Sequence, residues 1–246
     1  MILGAGGIET AGALMDPRPV LIVTGLVQEA KIATGPGMTV ICSSSDPAQL
    51  RVLLASIDPT TIRGVVSFGV AGGLDPQLKS GDVVVATEVM SGDSCWQAAE
   101  ALSEELIAGA GVGRRQVFRG GIAGVEKVVT GQIGKAALRS GTGAAAVDME
   151  SHIAASFADA AGLPFAALRV VSDPASRALP ELATSAIKPN GDIDLAKVLR
   201  GIARNPLVIR ALVSTGRDFN RALRSLRDCR SFFLGQTSIV AVAAEV

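Results

Sequence analysis

Two carboxylates in one stretch are the residues best placed to do chemistry. From Ala145 to Ser176 the chain reads AAAVDMESHIAASFADAAGLPFAALRVVSDPAS. Glu150 opens an apolar helix in which Met149, Ile153 and Phe157 share one face by their spacing. Gly162 and Pro164 stop that helix. Phe165 to Val171 fits a buried strand, and Ser172-Asp173-Pro174 falls at its carboxyl end. In open α/β sheets ligands bind in the crevice beyond the carboxyl ends of strands, which places Asp173 at a reactive position. Glu150 adjoins an otherwise uncharged turn, where a buried charge must be compensated. Each residue also has an ordinary reading: Asp before Pro is common in turns, and a Glu at a helix start complements the helix dipole. The pair gains weight from a glycine-rich segment upstream, Gly69-Val70-Ala71-Gly72-Gly73, expected as a loop after a central strand Val65–Phe68. Glycines there let a backbone approach a ligand closely and offer its N–H groups.

Three stretches then occur in order: VVSFGVAGGLDPQLKSGDVVVA (Val65 to Ala86), AAVDMESHIA and LRVVSDPA. Together they resemble the nucleoside phosphorylase/nucleosidase superfamily, most closely its methylthioadenosine/S-adenosylhomocysteine nucleosidase branch. The first is similar to the family's glycine-rich loop followed by L-K-x-G-D and a strand. The second is similar to its V-E-M-E ribose motif, and the third to its R-x-x-S-D base motif. The resemblance runs from about Pro19 to Ala178. Within the superfamily, SFGVAGGLDP, VDMESH, SDPASRALPELA and KPNGDIDLAKVLRGIARNP look most like the nucleosidase/phosphorylase encoded with hopanoid biosynthesis.

The resemblance implies a three-layer α-β-α sandwich around a central mixed, mostly parallel sheet. It implies a purine nucleosidase that cleaves the N-glycosidic bond of a 5′-substituted adenosine, such as adenosylhopane, and releases adenine. By the same carry-over Asp173 is the general acid toward purine N7, and Glu29 is the base toward water, with a register that can slip to Ala30. Glu150 accepts bonds from the ribose hydroxyls and Met149 packs on the sugar. Val128 packs on the base, Val129 offers backbone groups to its edge, and Val70, Ala71, Gly72 and Ser172 complete the binding set. Phosphorylases of the trimeric and hexameric branch carry an Arg and a Ser around the glycine segment, where this chain has Ser67 and Val70. Without that Arg a phosphate dianion loses its bidentate partner, which favours water as nucleophile. A phosphate-dependent phosphorylase is the alternative, and a non-catalytic nucleoside-binding or membrane-associated scaffold is a further one. No cofactor and no metal are implied, and a homo-oligomer, a dimer first, is expected.

Composition sets outer bounds. At 246 residues one α/β domain is the natural expectation, read as residues 19–246 with a helical part from about 190, after a flexible leader over 1–18. Hydrophobic residues make up 48% and formal net charge is zero, so a sizeable core is available and no basic stripe recruits nucleic acid. Cys42, Cys95 and Cys229 are far apart and only His152 is present, which argues against structural zinc and suits a reducing cytosol. His152 reads as a packed residue. No apolar run reaches the roughly 18 residues of a membrane span. Gly4-Ala5-Gly6-Gly7 fails the dinucleotide fingerprint because Glu9 replaces its third glycine, and Gly134-Lys135 fails the P-loop because Val129 and Ala136 break it.

The remaining elements follow from punctuation and periodicity. Val20–Thr24 and Met38–Cys42 read as strands separated by a short helix after Gly25. Asp46 or Ser45 caps a helix with Pro47 at its first position, running to about Ile57. Val83–Ala86 is a further strand, and Glu100, Glu104 and Glu105 lie on a solvated helical face. Arg119 to Thr130 aligns with the family strand that frames the purine. Asp194 is expected to cap one helix, Leu207–Leu226 forms a second, and Ser238–Ala243 is a last strand or a tail. The arginines of the second helix form a solvated face or, in the minority case, a peripheral contact with an anionic inner membrane.

Overall fold

The structure is a computed structural model and describes residues 16–110, 115–180 and 208–230. Among the described residues, an 8-stranded sheet forms the centre. Its strands are β1 (Val20–Thr24), β2 (Met38–Cys42), β3 (Gly64–Gly73), β4 (Val83–Ser91), β5 (Ser94–Gln97), β6 (Val117–Gly124), β7 (Ala146–Asp148) and β8 (Phe165–Asp173). The order is β2-β1-β3-β7-β6-β4-β5, and β8 pairs with both β3 and β4. Most pairings are parallel, while β3–β7, β4–β5 and β4–β8 are antiparallel. Because β8 bridges β3 to β4 and β7 bridges β3 to β6, the sheet closes on itself beside the β1–β2 extension.

Helices cover both faces. They are α1 (Val27–Ala33), α2 (Pro47–Ala55), α3 (Glu100–Ala110), α4 (Gln132–Thr142), α5 (Ser151–Ala160) and α6 (Val208–Asp228). Strand β1 shows why two layers form. Its five residues are all buried, and alternate side chains point to opposite faces. Leu21 and Val23 join Leu50 and Leu54 of α2 and Ile153, Ala154 and Ala158 of α5. Val20 and Ile22 join Ile32 of α1, Leu102 and Leu106 of α3, and Leu223 and Leu226 of α6. The expected α-β-α arrangement is the one observed.

Several boundaries match the sequence reading. Strands β1 and β2 have the expected ends, and Asp46 caps α2 by accepting from the N–H groups of Ala48 and Gln49 at 2.8 and 3.2 Å. Other expectations need correction. Gly69 to Gly73 is the second half of β3, not a loop, because β8 pairs with it as far as Gly72↔Asp173 and β7 pairs with Gly72 and Gly73. Strand β6 ends at Gly124, so Val128 and Val129 lie beyond it. Beyond these expectations, the segment around Trp96 forms the hairpin strand β5 against β4. Helix α4 and strand β7 answer to no element of the sequence reading. The helix expected from Asp194, the segment Ser238–Ala243 and leader residues 1–15 lie outside the described residues. No helix among the described residues is long and apolar enough to cross a membrane.

Candidate active site

The site lies where β1, β3 and β8 end together. These three strands are mutually parallel through β3, so their carboxyl ends face one side. Strand β7 runs antiparallel to β3 at Gly72 and Gly73 and delivers Asp148, Met149 and Glu150 to the same edge.

Glu29 comes from the first turn of α1 and is buried. Its carboxyl accepts from three backbone N–H groups: Gly25 at 2.9 Å, Leu26 at 2.8 Å and Val70 at 2.7 Å. Glu29 is therefore not a solvated helix-start residue. Burial pushes its pKa up, against the opposing pull of Arg169 and these three bonds.

Glu150 stands just before α5 but does not cap it. That work falls to Asp148, which accepts from the Ser151 N–H at 3.0 Å. Glu150 is buried and free of the cap, and its carboxyl packs against Gly25, where an added Cβ would sit 2.5 Å from Oε1. Burial raises its pKa to about 8, Arg169 opposes this, and the nearby Asp148 and Glu29 add to it.

Arg169 ties these groups together. It lies on β8 opposite Gly69 of β3 and has no solvent exposure. Its guanidinium pairs with Asp148 at 2.5 Å and Glu150 at 3.4 Å, and donates to Ser67 Oγ at 2.6 Å. Ser151 bridges Ser67 and Asp148 beneath it. Burial works against the Arg169 charge, but Asp148, Glu150 and Glu29 outweigh it and hold the guanidinium protonated. An extra Cβ at Gly69 would come within 2.7 Å of Arg169 Nη1 and of Glu29, so a bare backbone is required there.

Asp173 ends β8 and is buried on the other side of the β3 edge, next to Gly72. It is not a simple turn residue. Lys135 Nζ of α4 lies 2.6 Å from Oδ2, and Ser172 Oγ lies 2.6 Å from Oδ1. Burial pushes the Asp173 pKa up, while Lys135 and Ser172 hold it down.

The other expected residues surround these. Val70, Gly72, Met149 and Ser172 are half-buried. Ala71 turns its side chain into the core, which leaves its backbone to the site, and its carbonyl lies 3.2 Å from Ser172 Oγ. Val128 is exposed, and Val129 packs on the small cluster of Leu74, Ala123, Ala144 and Val147. His152 is packed, with Nε2 3.0 Å from Glu126, outside the carboxylate cluster. Trp96 packs against the core and lines a cleft of about 690 Å³ with Phe165, at the opposite end of β8 from Asp173.

Sequence reasoning missed three participants. Arg169 was visible only as the first letter of a motif, Ser67 only as a departure from one, and Lys135 only as a failed P-loop lysine. The usable signal for Lys135 was a cation near the start of a helix whose other cation is Arg139, and it has no meaning until its partner is known.

Comparison with known proteins agrees with the fold. A family model described as the phosphorylase superfamily matches residues 16–203. No curated protein sequence matches. Among solved structures, futalosine hydrolase of Helicobacter pylori superposes with TM-score 0.65 at 17% identity, covering 89% of this chain and 98% of that one. The 5′-methylthioadenosine/S-adenosylhomocysteine nucleosidase of Neisseria meningitidis, in complex with methylthio-immucillin-A, gives TM-score 0.66 at 19% identity, covering 89% and 99%. The corresponding Helicobacter pylori nucleosidase, with butyl-thio-DADMe-Immucillin-A, gives 0.62 at 19% identity, covering 89% and 97%.

Proposed function

The chain belongs to the phosphorylase superfamily, and on that footing we propose that it is a purine nucleosidase that hydrolyses the N-glycosidic bond of a 5′-substituted adenosine and releases adenine. The observation that carries this reading is the seating of Glu29. The backbone N–H groups of Val70, Gly25 and Leu26 point at one place, with Arg169 beside it, and the anion they hold is the chain's own carboxylate. A phosphate dianion would have to displace that carboxylate, and the Arg169 guanidinium is already engaged by Asp148, Glu150 and Ser67. Water needs neither an Arg nor an empty anion hole.

In this mechanism water attacks C1′ of the ribose and passes its proton to Glu29, whose raised pKa suits it as a base. The C1′–N9 bond breaks as Asp173 gives its proton to N7 of the purine. Glu150, in the ionised form that Arg169 favours against its burial, accepts from the ribose hydroxyls and places negative charge near the developing ribosyl cation. Met149 packs on the sugar, Ser172 orients Asp173, Val128 packs on the base and Val129 offers backbone groups to its edge, with the backbone of Val70, Ala71 and Gly72 beside them. The substrate class extends to adenosine bearing a bulky apolar 5′ group, adenosylhopane included. The proposal includes a single domain and a homodimer, the latter checked by light scattering. It also includes a peripheral contact with anionic lipid, supported by the exposed Arg210, Arg217, Arg221 and Arg224 of α6 and checked by liposome sedimentation.

The test is chromatographic. Purified protein is incubated with adenosine and with adenosine carrying a bulky apolar 5′ substituent, each with and without phosphate. Adenine and free ribosyl product without phosphate are expected. Turnover that requires phosphate overturns the hydrolytic reading in favour of phosphorolysis, and no base release from either substrate overturns the enzymatic one. Asp173→Asn is expected to lose activity by about 10²–10⁴-fold with an unchanged circular dichroism spectrum.

A further inference from the structure

Helix α4 is built the wrong way round for a surface helix. It exposes 87% of Ile133 and buries Lys135 completely. Lysine is among the residues least often buried, and its place in the first turns of the helix sets its charge against the positive end of the dipole. Local rules broken together in this way mark a functional constraint.

The lysine is fully compensated where it ends. Its Nζ lies 2.6 Å from Asp173 Oδ2, 3.1 Å from the Asp173 carbonyl, 3.0 Å from that of Pro174 and 3.1 Å from that of Arg177. An ammonium has three protons and no acceptor, so these four oxygens saturate it and favour its charged form. Around it, Gln132 of α4 donates to the Ser176 carbonyl, and the Leu179 N–H donates to the Thr130 carbonyl at 2.8 Å. The N-terminal end of α4 thus clasps the turn that follows β8.

We infer that Lys135 is the positioning residue of the general acid: it pins Asp173 by Oδ2 and stabilises the carboxylate that forms when Asp173 gives its proton to the leaving base. This rests on the nucleosidase reading for the reaction served. With Oδ2 committed to the ammonium, the transferable proton sits on Oδ1. Ser172 Oγ lies within reach of both Oδ1 and the Ala71 carbonyl. Its single proton goes to Oδ1 when Asp173 is ionised and to Ala71 when Oδ1 is protonated. As the proton leaves Oδ1, negative charge appears 2.6 Å from a cation that is already in place. An interaction that strengthens as charge develops accelerates the step itself.

The charged groups facing Asp173 are Lys135 from α4 and Asp218 from α6. Lys135 lowers the Asp173 pKa and Asp218 raises it. Arg177, on the turn itself, pairs with Asp218 at 3.1 Å. Removing the lysine charge therefore moves the Asp173 titration to higher pH.

The experiment compares wild type with Lys135→Met and Lys135→Gln, each checked for folding by thermal melting. Adenine release is expected to fall in kcat by about 10²-fold, with KM changed by less than a few-fold. The basic limb of the kcat/KM profile, where Asp173 loses its proton, is expected to move up in pH. A purely structural lysine would lower the melting temperature and leave that limb in place, and this result overturns the inference. Carbon-13 NMR of the Asp173 carboxyl, assigned by its loss in Asp173→Asn, gives an answer independent of turnover. An upward titration shift in the variants supports the pairing, and an unmoved one overturns it. If wild type releases no base from any nucleoside, the functional reading fails while the NMR titration still decides Lys135. If neither variant folds, wild-type nitrogen-15 spectra decide: an Nζ signal of Lys135 that responds to Asp173 titration supports the pairing, and an indifferent one overturns it.

Discussion

Glu29, Glu150 and Asp173 are chemically similar and physically distinct. Glu29 accepts from three backbone N–H groups, Glu150 leans on Arg169, and Asp173 shares a buried ammonium and a hydroxyl. Separate surroundings allow separate protonation states, which is what the proposed acid and base roles require. Glu29→Gln keeps the shape but removes the base and offers an amide N–H where the backbone already donates. It should reduce adenine release by about 10²–10³-fold, measured by initial rates, whereas retention of wild-type rates would remove Glu29 from the mechanism. At this scale much of the site was legible in the sequence. Glu150 and Asp173 stood out because carboxylates beside apolar runs demand compensation. Their compensators did not stand out, since Arg169 and Lys135 are brought in by pairings that span the chain.

At the scale of elements, β3 does the positioning. The sequence suggested that it stops at Phe68, because a run with three glycines has little strand propensity. The strand continues because β8 and β7 supply its hydrogen bonds, and no local pattern announces those partners. The glycines are there for space. At Gly69 the neighbours of an added Cβ would be Arg169 Nη1 and the Glu29 carboxyl, both locked in the buried network. Gly69→Ala is therefore expected to destabilise the fold by about 1–3 kcal/mol and to suppress turnover beyond what stability explains. Gly92 is the control. Its φ of +56 favours glycine but nothing lies within 4 Å, so Gly92→Ala should cost about 1 kcal/mol and leave turnover alone. Equal losses of activity in the two variants would show that crowding at the site is not what Gly69 avoids. The missed helix α4 has the opposite explanation. Its sequence, QIGKAALRSGT, has two glycines and no apolar stripe, because one of its inward residues is a lysine.

Over the whole molecule the three carboxylates act together on stability. All have pKa values raised by burial, Glu150 from 4.5 to about 8. A group whose pKa is higher folded than unfolded binds its proton more tightly in the native state. Its contribution is complete below the unfolded value and is lost as pH rises through the folded one. For Glu150 that window runs from about 4.5 to about 8. Glu126 works in the other direction: its bonds to Arg51 and then His152 lower its pKa to about 2. Its contribution is present above the unfolded value of 4.5 and fades only as pH falls toward 2. Because Glu126 is largely exposed, solvent screening makes that effect small. The net expectation is a melting temperature that declines from pH 5 toward pH 8, by an amount on the order of a few kcal/mol in stability. Glu150→Gln cannot ionise, so its melting temperature should depend less on pH, approaching or exceeding wild type at pH 8 while giving no advantage at pH 5. Thermal melts of both proteins across this range decide the matter. Parallel curves would mean that Glu150 is ionised alike in the folded and unfolded chains, and that Arg169 compensates its charge in full.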